Sequence, residues 1–155
     1  MSIQPRFDPS DVRKRFEKFI EVIEKRQILR LQFLGEMCVK HAKEVPASAG
    51  FTDQTGNLRS SIGYMIFKNG VAIHDRFSQI GEGSEGVLTG QALAKKVGAR
   101  FTEGIGLVVT AGMHYSVYLE AKGRDVLTSA EILAKQELPR MVEELKKNIN
   151  RALTE

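Results

Sequence analysis

From Asp11 to Val45 the apolar residues recur at helical spacing: Val12, Phe16, Phe19, Ile20 and Ile23, then Leu31, Leu34, Met37, Cys38, Ala42 and Val45. Pro9 and Ser10 suit the start of such a helix and Pro46 its end. A straight helix over 11–45 reaches about 50 Å at about 1.5 Å per residue. A domain of 155 residues has a radius of gyration of only about 15 Å. The helix therefore outruns any core this chain can build. Gln27 and Arg30 break the stripe on its apolar face, and Gly35 lies just beyond. Either the helix bends within 27–35, or one end projects and packs on something else.

The remaining chain has to pack around that helix. Residues 53–77 predict a helical turn and then a hairpin. In TGNLRSSI, Asp53 or Thr55 is placed to cap a turn that points Leu58 and Ile62 inward. GYMIFK and VAIHDRF flank Asn69-Gly70, the preferred two-residue hairpin turn. A regular register sets Ile66 opposite Ile73 and Met65 opposite His74. Residues 78–104 are punctuated by glycine and poor in large apolar side chains, which predicts a mobile loop with a helical turn or two around Gln91–Val97. Over 105–123, IGLVVTAG is apolar on both faces and predicts a central strand. MHYSVYLEAKG then predicts a short helix ended by Gly123 in a left-handed cap, although its aromatic alternation leaves a strand open. Residues 128–154 start with the capping box Thr128 and Glu131 and carry a stripe through Leu138, Met141, Val142, Leu145, Ile149 and Leu153. Pro139 interrupts it and predicts a kink, or two helices.

This order gives one α+β domain over 1–155. It has a long N-terminal helix, a small, mainly antiparallel sheet containing a β-hairpin, and a C-terminal helix, with the helices covering one face of the sheet. A hydrophobic fraction of 42% in 155 residues suits a single core. No run approaches the ~20 apolar residues of a membrane span, and MSIQPRFDPSD lacks the apolar stretch of a secretory signal. A lone cysteine, Cys38, cannot form an internal disulfide and points to a reducing cytoplasm. The formal charge of +4 arises from cations interleaved with glutamates, as in VRKRFEKFIEVIEKR, the pattern of a solvated helix face rather than a nucleic-acid footprint.

Chemistry-bearing patterns are weak. GEGSEG over 81–86 spells a dinucleotide fingerprint, but it follows a hairpin strand, precedes no clear helix, and carries Glu82 and Glu85 where a pyrophosphate would lie. His41, His74 and His114 have no second ligand at helical spacing, and Cys38 with His41 is a single pair. Ser60-Ser61 lacks a nucleophile elbow, and Glu82, Glu85, Glu103 and Glu120 have no spacing that fixes a carboxylate pair. The expectation is no catalytic residue, no metal ligand, no cofactor and no small-molecule substrate. Tyr115, Tyr118 and Phe101 beside Lys95, Lys96 and Arg100 could form a stacking surface for nucleic acid.

Two segments read together resemble a family of tailed-phage morphogenesis proteins, the tail-component or head-to-tail joining (neck) proteins. These are TGNLRSSIGY with its hairpin, and VVTAGMHYSVYLEAKGRDVLTSA with its closing helix. The matching positions are Thr55, Gly56, Leu58, Arg59, Ser60 and Ser61, then Tyr115, Tyr118, Glu120 and Gly123. The 78–104 stretch is longer and richer in glycine than the compact connection of that pattern, and EAKGRDVL departs from its usual wording.

The resemblance implies a structural virion or prophage protein, without catalysis, at the head–tail junction or tail end. It would be present in the virion and, during assembly, in the host bacterial cytoplasm. Its partners would be further copies of itself in a ring and neighbouring head and tail proteins, with no membrane. The uncovered stripe of the long helix and the glycine loop supply the expected assembly surface: Phe16, Phe19, Ile20 and Ile23, with Gly81, Gly83 and Gly86. The alternative from another class is a nucleic-acid-binding accessory module that uses the basic segment 91–101.

Overall fold

A computed structural model describes residues 8–154; the opening heptapeptide, part of the stretch read for a secretory signal, lies outside the described residues. In chain order the elements are α1 (Pro9–Glu44), α2 (Asn57–Ser61), β1 (Ile62–Lys68), β2 (Val71–Arg76), α3 (Ser84–Gly98), β3 (Ile105–Ala111), α4 (Ser116–Ala121) and α5 (Thr128–Thr154). The fold is α+β, with the long N-terminal helix, the hairpin in a small antiparallel sheet and the C-terminal helix in place.

The three strands pair in the order β2-β1-β3, so β1 and not β3 is central. Both faces of β1 are apolar. Ile62, Tyr64 and Ile66 point into a core shared with Leu34, Cys38 and Ala42 of α1 and Ala130 of α5. Met65 and Phe67 point the other way, onto Ala94 of α3. Helices therefore cover both faces of the sheet rather than one, and β3 is an edge strand whose apolar residues are mostly half-buried.

The helix on the second face replaces the expected loop. The buried residues of α3 are Gly86, Gly90, Ala94 and Gly98, one helical face made almost wholly of glycine. Glycine costs a helix about 1 kcal/mol relative to alanine, but here it lets the α3 backbone seat directly on its neighbours. A Cβ at Gly90 would overlap the Ser61 carbonyl, and one at Gly98 the Phe67 ring. The large apolar residue Leu88 faces solvent, so the apolar periodicity that marks a helix is missing from the buried face.

Three local expectations also change. Asn69 and Gly70 both have positive φ and make the predicted tight turn. The register then shifts, with Ile66 opposite His74 and Met65 opposite Asp75, leaving Ile73 as an extra residue in a bulge. α5 runs unbroken through Pro139, which lies on its exposed side. No Thr128–Glu131 box forms at its start. Instead the Glu120 carboxylate accepts from the amides of Val126, Leu127 and Thr128 at 3.0, 2.6 and 3.1 Å and from the Thr128 hydroxyl, while Glu131 pairs with Lys135.

Burial alone raises the Glu120 carboxyl, but the hydrogen bonds from Leu127, Thr128 and Val126 outweigh it and hold the group below the ordinary glutamate value. A lowered folded-state pKa stabilises the fold above the unfolded value, and that contribution is lost as pH falls through the folded one. We expect Glu120→Ala to lose about 1–2 kcal/mol at neutral pH, the worth of a good helix cap. The gap from the parent should close as the solution is acidified below about pH 4. Urea melts of both proteins at neutral and acid pH check this, and a gap that persists in acid would assign Glu120 a packing role instead.

Candidate functional site

α1 is one continuous helix of 36 residues, and every buried residue in it lies between Leu34 and Ala42. At Gly35, where a Cβ would come within 2.6 Å of the Tyr64 ring, the helix presses onto β1. α5 returns along it, with Ala130 beside Cys38 and Leu145 beside Leu31. The N-terminal half of α1 continues as the same helix with its residues exposed, apart from the half-buried Phe19, Ile23 and Glu24. Phe16 is 63% exposed and Ile20 42%, while Phe19 and Ile23 are half-buried. These four residues continue the face that α5 occupies further along, so the helix half of the expected assembly surface is on the surface.

The glycine half is not. Gly83 and Gly86 are buried inside the subunit, and only Gly81, with φ of 56°, lies in an exposed turn. Helix α3 does open on GEGSEG, contrary to the sequence reading, yet the strand before it is the outer strand of an antiparallel hairpin. The amides of both buried glycines in the motif are engaged within the chain. Gly83 donates to the Ile80 carbonyl at 3.1 Å, and Gly86 to the Asn57 side chain at 3.1 Å.

The residues behind the family resemblance form a structural joint at the same end of the sheet. Asp53 accepts from the amides of Leu58 and Arg59 at 3.4 and 2.8 Å, and Thr55 from the amide of Asn57 at 3.3 Å, so both expected caps of α2 are present. Gly56 has φ of 80°, and a Cβ there would overlap the Ile80 carbonyl. Ser60 accepts from the Ile80 amide at 2.7 Å, and Ser61 from the Met113 amide at 3.3 Å. Leu58 is buried, and the Arg59 guanidinium lies 4.7 Å from the centre of the Phe51 ring. This segment ties α2 to the turn before α3 and to the connection after β3. Of the second segment, Glu120 caps α5, Gly123 ends α4 with φ of 75°, Tyr115 is half-buried, and Tyr118 is exposed.

The aromatic and basic residues considered for nucleic acid are not brought together. Gly98 meets Phe67, and the chain at Phe101 meets the hairpin turn at Gly70, whereas Gly112, just before Tyr115, meets Gly90. Phe101 and Arg100 therefore lie at the far end of β3 from Tyr115 and Tyr118, a strand length of about 23 Å at about 3.3 Å per residue, while Lys95 and Lys96 lie on α3 between the two ends.

Three features escaped the sequence reading. An apolar groove of about 550 Å³ runs between α1 and α5, lined by Leu31, Ile105, Leu138, Met141, Leu145 and Ile149. Leu29 and Phe33, 63% and 61% exposed, form with Val22 a second apolar line on the outer side of α1. Their spacing of seven and four is a helical signal, but charged neighbours obscure it. The third is a polar cluster. The Tyr64 hydroxyl donates to Glu36 at 3.0 Å and lies 3.2 Å from His74 Nε2, and Arg76 pairs with Glu36 at 3.3 Å. Tyr64 spends its only proton on Glu36, so the His74 Nε2–H donates to the tyrosine oxygen. Burial and then the Glu36 carboxylate push the Tyr64 phenol up to about 12. The cluster fastens α1 to the outer hairpin strand.

His41 is exposed, and Cys38 is buried beside the Ala130 carbonyl, its thiol raised by burial. Among the described residues, no three His, Cys, Asp or Glu side chains gather in a metal-binding group. Comparison with family models, curated proteins and solved structures finds no match for this chain.

Proposed function

We propose that this chain is a structural subunit of a tailed-phage or prophage particle, acting at the head–tail junction or tail end as one copy in a ring and not as an enzyme. The observation that carries the reading is the projecting half of α1. A helix that extends past its own domain with Phe16 and Ile20 uncovered calls for a protein neighbour, and the groove between α1 and α5 offers a second apolar surface beside it. The order of elements from Thr55 onward, which resembles the neck family, supports the same reading. The assembly surface in this proposal is Phe16, Phe19, Ile20 and Ile23; the buried Gly83 and Gly86 no longer belong to it. Partners are copies of the same chain and adjoining head and tail proteins, in the virion and in the host cytoplasm during assembly.

Disrupting the gene in its phage or prophage tests the proposal. The expected result is filled heads and separate tails by electron microscopy, no infectious particles, and rescue by the gene supplied in trans. Normal particles and normal titre without the gene would overturn it.

A further inference from the structure

The break in the α1 stripe leads to a separate feature. Arg26 and Arg30, one helical turn apart, line a surface cleft of about 460 Å³ with Asn148, Arg151 and Ala152 of α5. Arg30 is half-buried, and Arg26 and Arg151 are exposed. Some cations on the same two helices and the sheet have partners, Lys68 with Glu24 at 2.7 Å, Arg140 with Glu137 at 3.7 Å and Lys146 with Glu143 at 3.1 Å, whereas Lys25 and Lys147 pair with none of the described carboxylates. Among the described residues, no carboxylate comes within ion-pair distance of the three cleft arginines.

Like charges a turn apart destabilise a helix, and here a third guanidinium faces them across the cleft. Each guanidinium presents five N–H donors in a planar fork that matches an oxyanion. The Asn148 amide adds a donor, and Ala152 leaves the space open. Three guanidiniums match the several oxygens and repeated charges of a polyphosphate, or of consecutive backbone phosphates, better than the single charge of one carboxylate.

We propose that this cleft binds a phosphate group, supplied by a free polyphosphate or by a nucleic-acid backbone. The inference does not depend on the ring reading, and it uses neither the 91–101 segment nor GEGSEG.

Thermal melting of the full chain with tripolyphosphate, against sodium chloride at matched ionic strength, provides the test. The expected result is a rise in melting temperature specific to tripolyphosphate. The double variant Arg26→Gln, Arg30→Gln should melt no lower than the parent without anion, because repulsion is relieved, and should bind tripolyphosphate at least tenfold more weakly. Arg151→Gln, at an exposed position, gives a second variant with the same expected loss, whereas Lys95→Gln, Lys96→Gln should bind as the parent does. Fluorescence anisotropy with a short DNA duplex separates the sources. Binding that competes with tripolyphosphate and falls steeply with salt assigns the backbone phosphate, and no duplex binding assigns the free anion. A melting shift no larger than that with chloride, or one that the arginine variants retain, overturns the proposal.

Discussion

Replacing Gly86 with alanine is expected to lower stability by roughly 3 kcal/mol, at the upper end of what overpacking does, with a fall in melting temperature of roughly 6–12 °C for a domain of this size. The sign is the informative part. In an exposed helix, glycine to alanine stabilises by about 0.5–1 kcal/mol. At Gly86 the added Cβ would overlap the Asn57 carbonyl oxygen and stand 2.8 Å from its carbon and 3.0 Å from the Asn57 Cα. That obstacle is backbone and cannot rotate away as a side chain can. α3 would have to lift, losing the bond from the Gly86 amide to Asn57 and loosening the contact of Gly90 with Gly112 one turn along. Gly106→Ala is the matched control, since a Cβ there meets nothing within 4 Å. It should leave the melt unchanged or slightly raise it. If Gly86→Ala were as stable as Gly106→Ala, α3 would not be seated on α2, and GEGSEG would again be free to serve as a contact between subunits.

The same glycines explain where sequence reasoning succeeds and where it stops. α1 and α5 were legible because their packed faces carry apolar side chains that recur with the helical period, as Leu34, Cys38 and Ala42 do. Asn69-Gly70 and Gly123 were legible because positive φ leaves few residue choices. α3 was hidden because the residues that bury it have no side chain to count. The swap of β1 for β3 at the centre has a related cause: IGLVVTA is uniformly aliphatic but half-buried, whereas the Tyr64 and Met65 faces of β1 are sealed by helices that the sequence placed on one side only. The cap of α5 comes from Glu120, eight residues before Thr128, through a turn whose shape is set by packing rather than by local preference. For the candidate site, length alone narrowed α1 to a bend within 27–35 or a projecting end, since no 155-residue core could cover such a helix. Of the glycines assigned to that site, Gly83 and Gly86 are buried within the subunit and Gly81 is exposed, because conformational freedom and close packing demand the same residue.

Phe16→Glu and Leu34→Glu should separate association from folding. Phe16 is 63% exposed, and a substitution at such a position ordinarily changes stability by less than about 0.5 kcal/mol. Its melting curve should therefore follow the parent's. In an assembled particle, burying a phenylalanine contributes about 1.5–3 kcal/mol, and a carboxylate in its place must lose its water without a partner. The combined loss corresponds to at least about a hundredfold weaker association, at about 1.4 kcal/mol per tenfold. Ile20→Glu, on the same face and also exposed, should behave alike. Leu34 is 2% exposed within the core of α1 and β1, so a glutamate there should leave no folded protein to assemble. The readout is the amount of each variant in particles made by complementing the disrupted gene, beside its melting curve and its sedimentation as free protein. Phe16→Glu is expected to fold, remain soluble and be missing from particles. Unfolding of Phe16→Glu to the extent of Leu34→Glu would make the N-terminal half of α1 part of the subunit's own core. Normal folding with normal incorporation would leave the projecting face without a role in assembly and move the search for the contact to the groove between α1 and α5.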